Sequence, residues 1–363
     1  MKKYSMIRSV ASLFASIAAV ASMGVSDLKA DVVDPGRANI GQGHTLTGTQ
    51  ATIAGGQTNT ASATRATVAG GLLNEALISD SFVGGGAKNK IAGGGTNSTI
   101  SGGFGNNMDS CDFGAIGGGG NNTLGIPGTA TSASVICGGF SNLNKGTVSA
   151  IVGGSFNSIS NYVLGAVIVG GTGQGIGGNV GSVAQTIGGG RSNNVSVSGA
   201  TIAGGVDNSV HGTLGTVPGG YRASASHYGQ LAYASGFFGA RGDAQSSLYV
   251  ARTTTTSATA TELFLDGSSE RMTIPSGSTW IFEIQVVARS ATQSAGYTAK
   301  GVIDNFSGTV GLLAGSVTVV GEDDMNWDLQ LEASNGALVL KGVGAASTTI
   351  RWVATIRTTE VTN

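Results

Sequence analysis

The chain has 363 residues, of which 63 are glycine and only four proline; charged residues make up 11%, and the formal net charge is −1. The lack of a strict every-third-residue glycine excludes a collagen triple helix. The absence of a basic excess excludes an electrostatic footprint for nucleic acid. An apolar content of 40% excludes a typical disordered polymer, because such a chain has aliphatic surface to bury.

In chain order, Lys2, Lys3 and Arg8 precede an apolar run from Val10 to Val20, and Ala19-Val20-Ala21 offers a small-x-small cleavage site. Residues 1–21 read as a secretory signal peptide, too short for a comfortable membrane span. The alternative is an N-terminal helix that anchors the chain to a larger assembly. A second possible cut follows Ala30. No stable membrane span is expected in the mature chain. Residues 22–50, with Asp31, Asp34 and Pro35 but no periodicity, read as a leader.

From 51 to 223 one phrase repeats: an aliphatic residue, any residue, two glycines, two more residues, asparagine. It reads Ile53-Ala54-Gly55-Gly56-Gln57-Thr58-Asn59, returns at Val68, Val83, Ile116, Ile136, Ile151, Ile187 and Ile202, and has weaker copies at Ile91, Ile100, Ile168 and Val217. The common step is 15 residues, as in 53 to 68 to 83. A fixed short period is the signature of a solenoid. Eight residues after most anchors comes another apolar side chain (Ala61, Ala76, Ile91, Met108, Leu124, Ile159, Val195, Val210); Asn144 is the exception. Eight out and seven back make a coil with two short strands. Small residues two positions before the anchor (Ala51, Ala66, Ser81, Ala166, Ala200) share its face.

The Gly-Gly pair is expected to form the turn by supplying positive φ and close backbone approach. The asparagine is expected to leave that turn in the left-handed region. Stacked coils would also line the asparagines into an amide ladder. Each coil is thin: it buries two aliphatic side chains and an alanine or two while ordering 15 residues. Lateral packing against identical chains would supply the missing burial, so a homotrimer is expected.

Residues 224–247 carry Tyr228, Tyr233, Phe237 and Phe238 and read as a packed neck. Arg241-Gly242-Asp243 within it matches a cell-attachment tripeptide and reads as chance. From 248 to 363 the period becomes two: Trp280, Phe282, Ile284, Val286 and Ala288; Trp327, Leu329 and Leu331; Ile350, Trp352, Ala354 and Ile356. These are antiparallel strands, with Asn335-Gly336 a hairpin turn. The expected fold is all-β: two-stranded β-roll (β-solenoid) repeats followed by an antiparallel β-sandwich domain.

Catalytic patterns are sparse. His44, His211 and His227 lack metal-ligand spacing and read as isolated surface histidines, although His211 and His227 would approach one another near the end of the stack. Gly117-Gly118-Gly119-Gly120 is not followed by the Gly-Lys-Ser/Thr of a phosphate loop. Glu75, Asp80, Asp109, Asp112 and Asp207 are not in register, whereas a glycosidase needs paired carboxylates. Glu322-Asp323-Asp324 has the chemistry for calcium but reads as a solvated loop. Cys111 and Cys137 fit neither a disulfide scaffold nor a zinc site, and whether they pair stays open. The reading assigns no catalytic, cofactor-binding or metal residue, requires no cofactor and expects a chain that is not an enzyme; receptor-contact residues are unknown.

The coils resemble the trimeric β-roll repeats of adhesin heads and the repeats of bacteriophage tail fibres. Tyr228-Gly229-Gln230-Leu231-Ala232-Tyr233-Ala234-Ser235-Gly236 resembles a segment of tail fibre-like proteins of phages and prophages. So do Thr261-Glu262-Leu263-Phe264-Leu265-Asp266-Gly267, Gln285-Val286-Val287-Ala288-Arg289 and Ile350-Arg351-Trp352-Val353-Ala354. The resemblance implies a trimeric fibre, located in the virion tail, whose distal domain contacts a cell-surface receptor, expected to be a glycan. It carries over no catalytic residue. A tail fibre assembled in the cytoplasm needs no export signal, which keeps an exported, extracellular adhesin as the alternative. A polysaccharide-degrading spike is the third reading.

Overall fold

The computed structural model describes residues 30–31 and 38–363. The expected signal peptide or anchor at 1–21 lies outside the described residues, as does most of the expected leader. Among the described residues every regular element is a strand, so the all-β expectation holds. No helix there is long and apolar enough to cross a membrane. The chain divides into two compact units, one ending at Ser132 and one beginning at Ala133.

In the N-terminal unit, two-residue strands stack in parallel along two lanes. The first lane carries Ile53, Val68, Val83, Ile100 and Ile116, each opposite the next. The second carries Ala61, Ala76, Ile91, Met108 and Leu124. All ten side chains are fully buried, because aliphatics from both lanes face one another inside the coil. The eight-plus-seven division of the repeat is therefore correct. Ile91 is corrected: it is not a compressed anchor but the second-lane residue of the Val83 coil. Upstream of the first full repeat, Thr45–Leu46 pairs with Thr60–Ala61, and Asn39 lies opposite Ile53.

Each coil turns at its glycines. The second glycine of the pair has positive φ, +92° at Gly56 and +89° at Gly71. A Cβ at Gly56 would lie 2.0 Å from the carbonyl oxygen of Gly71 on the next coil. Backbone conformation and rung spacing thus both demand glycine there. The expected left-handed asparagine is corrected. The left-handed residue is the one before it (Thr58, Leu73 and Lys88, with φ near +55 to +58°). The asparagine side chain turns inward and is fully buried.

That burial is satisfied by hydrogen bonds. Asn74 Nδ2 donates to the Gly70 carbonyl of its own coil at 2.8 Å and to the Gly86 carbonyl of the next at 2.9 Å. Its Oδ1 accepts the backbone N–H of Asn89 at 3.0 Å. Asn59, Asn89 and Asn106 repeat the scheme. The Gly70 and Gly86 carbonyls and the Asn89 N–H thus gain partners, as buried polar groups require. Two of the scattered carboxylates are held by cations of neighbouring coils. Arg65 meets Asp80 and Lys90 meets Glu75, each one coil apart. Cys111 is buried and Cys137 is exposed.

The C-terminal unit opens with the same architecture. Ile136, Ile151, Ile168, Ile187, Ile202 and Val217 stack on one lane. Asn144, Ile159, Ile176, Val195, Val210 and Ala225 stack on the other. Asn144, the polar exception, donates through Nδ2 to the carbonyls of Val135 and Ser149 and accepts the Gly146 N–H. Gln174 replaces one ladder asparagine: its Oε1 still accepts the Asn193 N–H at 3.0 Å, while its Nε2 finds no acceptor.

The stack passes into the antiparallel domain without a free edge. Leu231–Tyr233 pairs in parallel with the last first-lane strand and antiparallel with Ala244–Thr255. The second lane ends on a side chain. Gln245 Oε1 accepts the Ser224 N–H and Gln245 Nε2 donates to the Ser224 carbonyl, both at 3.0 Å, standing in for one more backbone rung.

Beyond this lies a sheet of 12- to 14-residue strands. The order across it is Ala244–Thr255, Ile350–Thr362, Ser278–Arg289, Ser294–Phe306 and Thr309–Glu322. The strand last in sequence thus lies second in space. One face packs on a smaller sheet in which Ala337–Val343 pairs with Asp328–Ser334, Thr261–Glu262 and Met272–Thr273. The expected hairpin at Asn335-Gly336 is present, with φ of 51° and 76°, the doubly positive pattern of a tight hairpin turn. Trp280, Trp327 and Trp352 all sit in the core between the two sheets.

Candidate functional site

The outer face of the long sheet carries two polar rows that cross its five strands. One runs Leu248–Arg357–Glu283–Lys300–Ser316, and the next runs Val250–Thr355–Gln285–Thr298–Thr318, each residue directly opposite its neighbour. Strand alternation explains the rows: Ile284, Val286, Ala299 and Ile356 point into the core, so the residues between them point out. Apolar rows border the polar ones, Val353–Val287 on one side and Ile281–Val302 on the other.

These rows line a hollow of about 420 Å³. The edge strand accounts for its far wall. Pairing with Ser294–Phe306 slips twice, between Gly296 and Tyr297 and between Val302 and Ile303. The extra residues are Val320 and Leu313, which are 70% and 65% exposed. A bulge bends its strand and increases the local twist, and the segment between the two bulges supplies Ser316 and Thr318.

The site offers hydroxyls from Thr298, Ser316, Thr318 and Thr355, the Gln285 amide and three charged groups. Glu283 faces Lys300 on one side and Arg357 on the other, yet among the described residues no ion pair joins them. Donors and acceptors beside apolar rows suit a ligand with many hydroxyls and an apolar face. The sequence reading assigned none of these residues to a site, and quoted Gln285 only within a resemblance segment. Their signal lay in the polar alternates of Ile281–Arg289 and Arg351–Val361, to which no role had been given.

Other candidates resolve differently. His227 is corrected from an isolated surface histidine. Its Nε2 lies 2.9 Å from the Thr273 carbonyl, and its ring packs edge-on against Tyr249 and Trp280, tying the last coil to the sandwich core. His211 instead meets Ser196 Oγ at 2.9 Å. Asp243 of the Arg-Gly-Asp tripeptide is buried and accepts the N–H groups of Phe238, Gly239 and Ala240. Burial pushes its carboxyl up, and these hydrogen bonds outweigh that, leaving it below the ordinary range. Arg241 is held by Asp207, so the tripeptide is not presented for recognition. The neck is only partly packed: Phe237 is half-buried, whereas Phe238 is 77% exposed.

Among Glu322, Asp323 and Asp324, the first accepts the Tyr297 hydroxyl, the second the Ser294 N–H and the third the Asn326 N–H. Each carboxylate thus serves local structure. Among the described residues no cluster of three potential metal ligands occurs.

No family model matches the chain, and no curated protein matches it. Among solved structures it is similar to the tailspike protein gp49 of Acinetobacter baumannii bacteriophage Fri1, a capsular polysaccharide depolymerase. The identity is 8%, with 90% of this chain and 82% of that one covered, at a TM-score of 0.21. It is also similar to the tailspike of Acinetobacter phage vB_ApiP_P1, at 11% identity, with 86% and 74% covered and a TM-score of 0.20. Both are phage tailspikes. The expectation that the chain is not an enzyme is corrected on this finding, since the first of these structures is a depolymerase.

Proposed function

We propose that the chain is a tail fibre- or tailspike-like receptor-binding protein of a phage virion that attaches to a glycan on the cell surface. The observation that carries this reading is the hydroxyl-, amide- and charge-lined hollow on the outer face of the long sheet. Its polar rows match saccharide hydroxyls, and the bordering valines and isoleucines match the apolar faces of sugar rings. The solenoid coils act as a scaffold that carries this sheet.

Assembly is as a homotrimer. In the C-terminal unit Phe140, Phe156, Leu164 and Val169 are each about half exposed on the coils. Phe140 and Phe156 meet edge-on with ring centres 5.7 Å apart, and exposed apolar surface of this kind favours an interaction face. Three copies would also present three hollows, so weak single sites sum to firm attachment.

The test is a glycan array probed with the full-length protein, its mass in solution measured in parallel. The reading expects selective binding to a small set of surface glycans and a trimeric mass. Binding to no glycan would overturn the attachment reading, and a monomeric mass would overturn the assembly. Appearance of shortened chains from a bound polysaccharide would add cleavage to attachment.

A further inference from the structure

Within the C-terminal unit, the residue that follows each Gly-Gly pair lines up from coil to coil as Arg191, Val206 and Tyr221. The next residue along each coil is Ser192, Asp207 and Arg222. These six line an open hollow of about 400 Å³ on the flank of the coils, away from the long sheet's outer face.

Its electrostatics are unbalanced. Arg222 Nε donates to Asp207 Oδ2 at 2.7 Å, and Arg241 Nη2 donates to Asp207 Oδ1. One carboxylate is therefore shared by two guanidinium groups. Arg191 is exposed, and among the described residues its guanidinium has no hydrogen-bond or ion-pair partner. Three guanidinium groups thus face one carboxylate in a chain whose net charge is −1. Aromatic surface lies alongside. Tyr221 packs edge-on against Phe237 with ring centres 5.4 Å apart, and Arg222 covers Phe237 at 3.8 Å. Tyr221 itself stays 39% exposed.

We propose that this flank is a second saccharide site, selective for a carboxylate-bearing sugar within a polymer. It rests on the glycan-attachment reading and names the sugar chemistry. The Arg191 guanidinium takes the sugar carboxylate through paired N–H donors, the geometry that suits arginine. The Tyr221 ring takes the apolar face of a neighbouring sugar. Two rungs separate them, about 10 Å at roughly 4.8 Å per rung, so the two contacts fall on different sugars of one chain. Asp207 acts as a positioning residue that holds Arg222 and Arg241 in place.

The test is calorimetric titration of the full-length protein with an oligogalacturonate and with a neutral dextran oligomer of equal length. Wild type is expected to bind the uronate, more weakly as salt rises, and to ignore the dextran. Arg191→Ala and Tyr221→Ala should each weaken uronate binding about tenfold or more with the melting temperature unchanged. Arg65→Ala, an exposed cation on an earlier coil outside both hollows, should leave it intact. Equal binding of uronate by wild type and Arg191→Ala would overturn the proposal. So would equal binding of dextran and uronate. A change of oligomeric mass in Arg191→Ala without loss of binding would assign the flank to contact between copies and overturn it as well. A positive glycan array combined with no uronate binding would defeat this inference while leaving the attachment reading intact.

Discussion

The Oδ1 of Asn59 accepts the backbone N–H of Asn74 at 2.9 Å, one coil further on, and both side chains are fully buried. This contact is the unit of a ladder in which each amide serves its own coil through one carbonyl and the following coil through another. It makes the asparagine the residue that joins rungs, whereas the glycines only permit the rungs to approach.

Asn74→Ala therefore removes two acceptor and two donor contacts at a site closed to water. The Asn89 N–H and the Gly70 and Gly86 carbonyls lose partners together. The expected loss is on the order of 3 kcal/mol, since an unsatisfied buried group costs about 1–3 kcal/mol. Chemical denaturation measures it. Asn74→Gln should fall between wild type and alanine, because Gln174 keeps the rung-to-rung acceptor and loses the donor contacts.

His44 occupies the ladder position of the first coil. Its Nδ1 accepts the Asn59 N–H at 3.0 Å, and Nε2 lies 3.1 Å from the Ile40 carbonyl. The ring thus offers Nδ1 to the ladder amide and turns Nε2 towards the Ile40 carbonyl. His44→Asn should preserve protection of the Asn59 amide in hydrogen exchange. His44→Ala should expose that amide and cost about 1 kcal/mol. Equal protection in both variants would show that the side chain plays no part in the ladder.

Asp243 predicts a pH dependence with a definite sign. Its folded carboxyl titrates below the ordinary range, so its stabilisation is complete above the unfolded value, near 4. That stabilisation is lost as pH falls through the lower, folded value. Asp243→Ala should be less stable than wild type at pH 7, and the gap should shrink on acidification below about pH 4. Urea midpoints of the two proteins across that range measure it. A gap that widens towards acid would contradict the hydrogen-bonded carboxylate.

Much of this architecture can be read from the sequence, because the physical constraints repeat. Ile53, Val68 and Val83 recur at the coil length, and Gly56 recurs wherever a Cβ would strike the next rung. The ambiguity at Ile91 arose because both lanes demand aliphatic residues, so a second-lane residue looks like an anchor. His44 reads as an isolated surface histidine in the sequence because its ring replaces an amide through geometry, not through residue type. The long sheet was harder. Its strands pair across more than a hundred residues, as Gln245 with Glu360, and no local pattern encodes that order. The hollow depends on bulges at Leu313 and Val320, which break the alternation through which a strand is recognised.

The central claim is that the polar rows of the long sheet bind the surface glycan. The direct measurement compares the affinity of the full-length protein and of Glu283→Ala/Lys300→Ala/Arg357→Ala for one glycan selected by the array. These side chains are exposed and among the described residues have no ion-pair partners, so the variant should fold with an unchanged melting temperature. Loss of affinity by at least about a hundredfold, roughly 2.7 kcal/mol, is the predicted result. An affinity equal to wild type in a correctly folded variant would contradict the account.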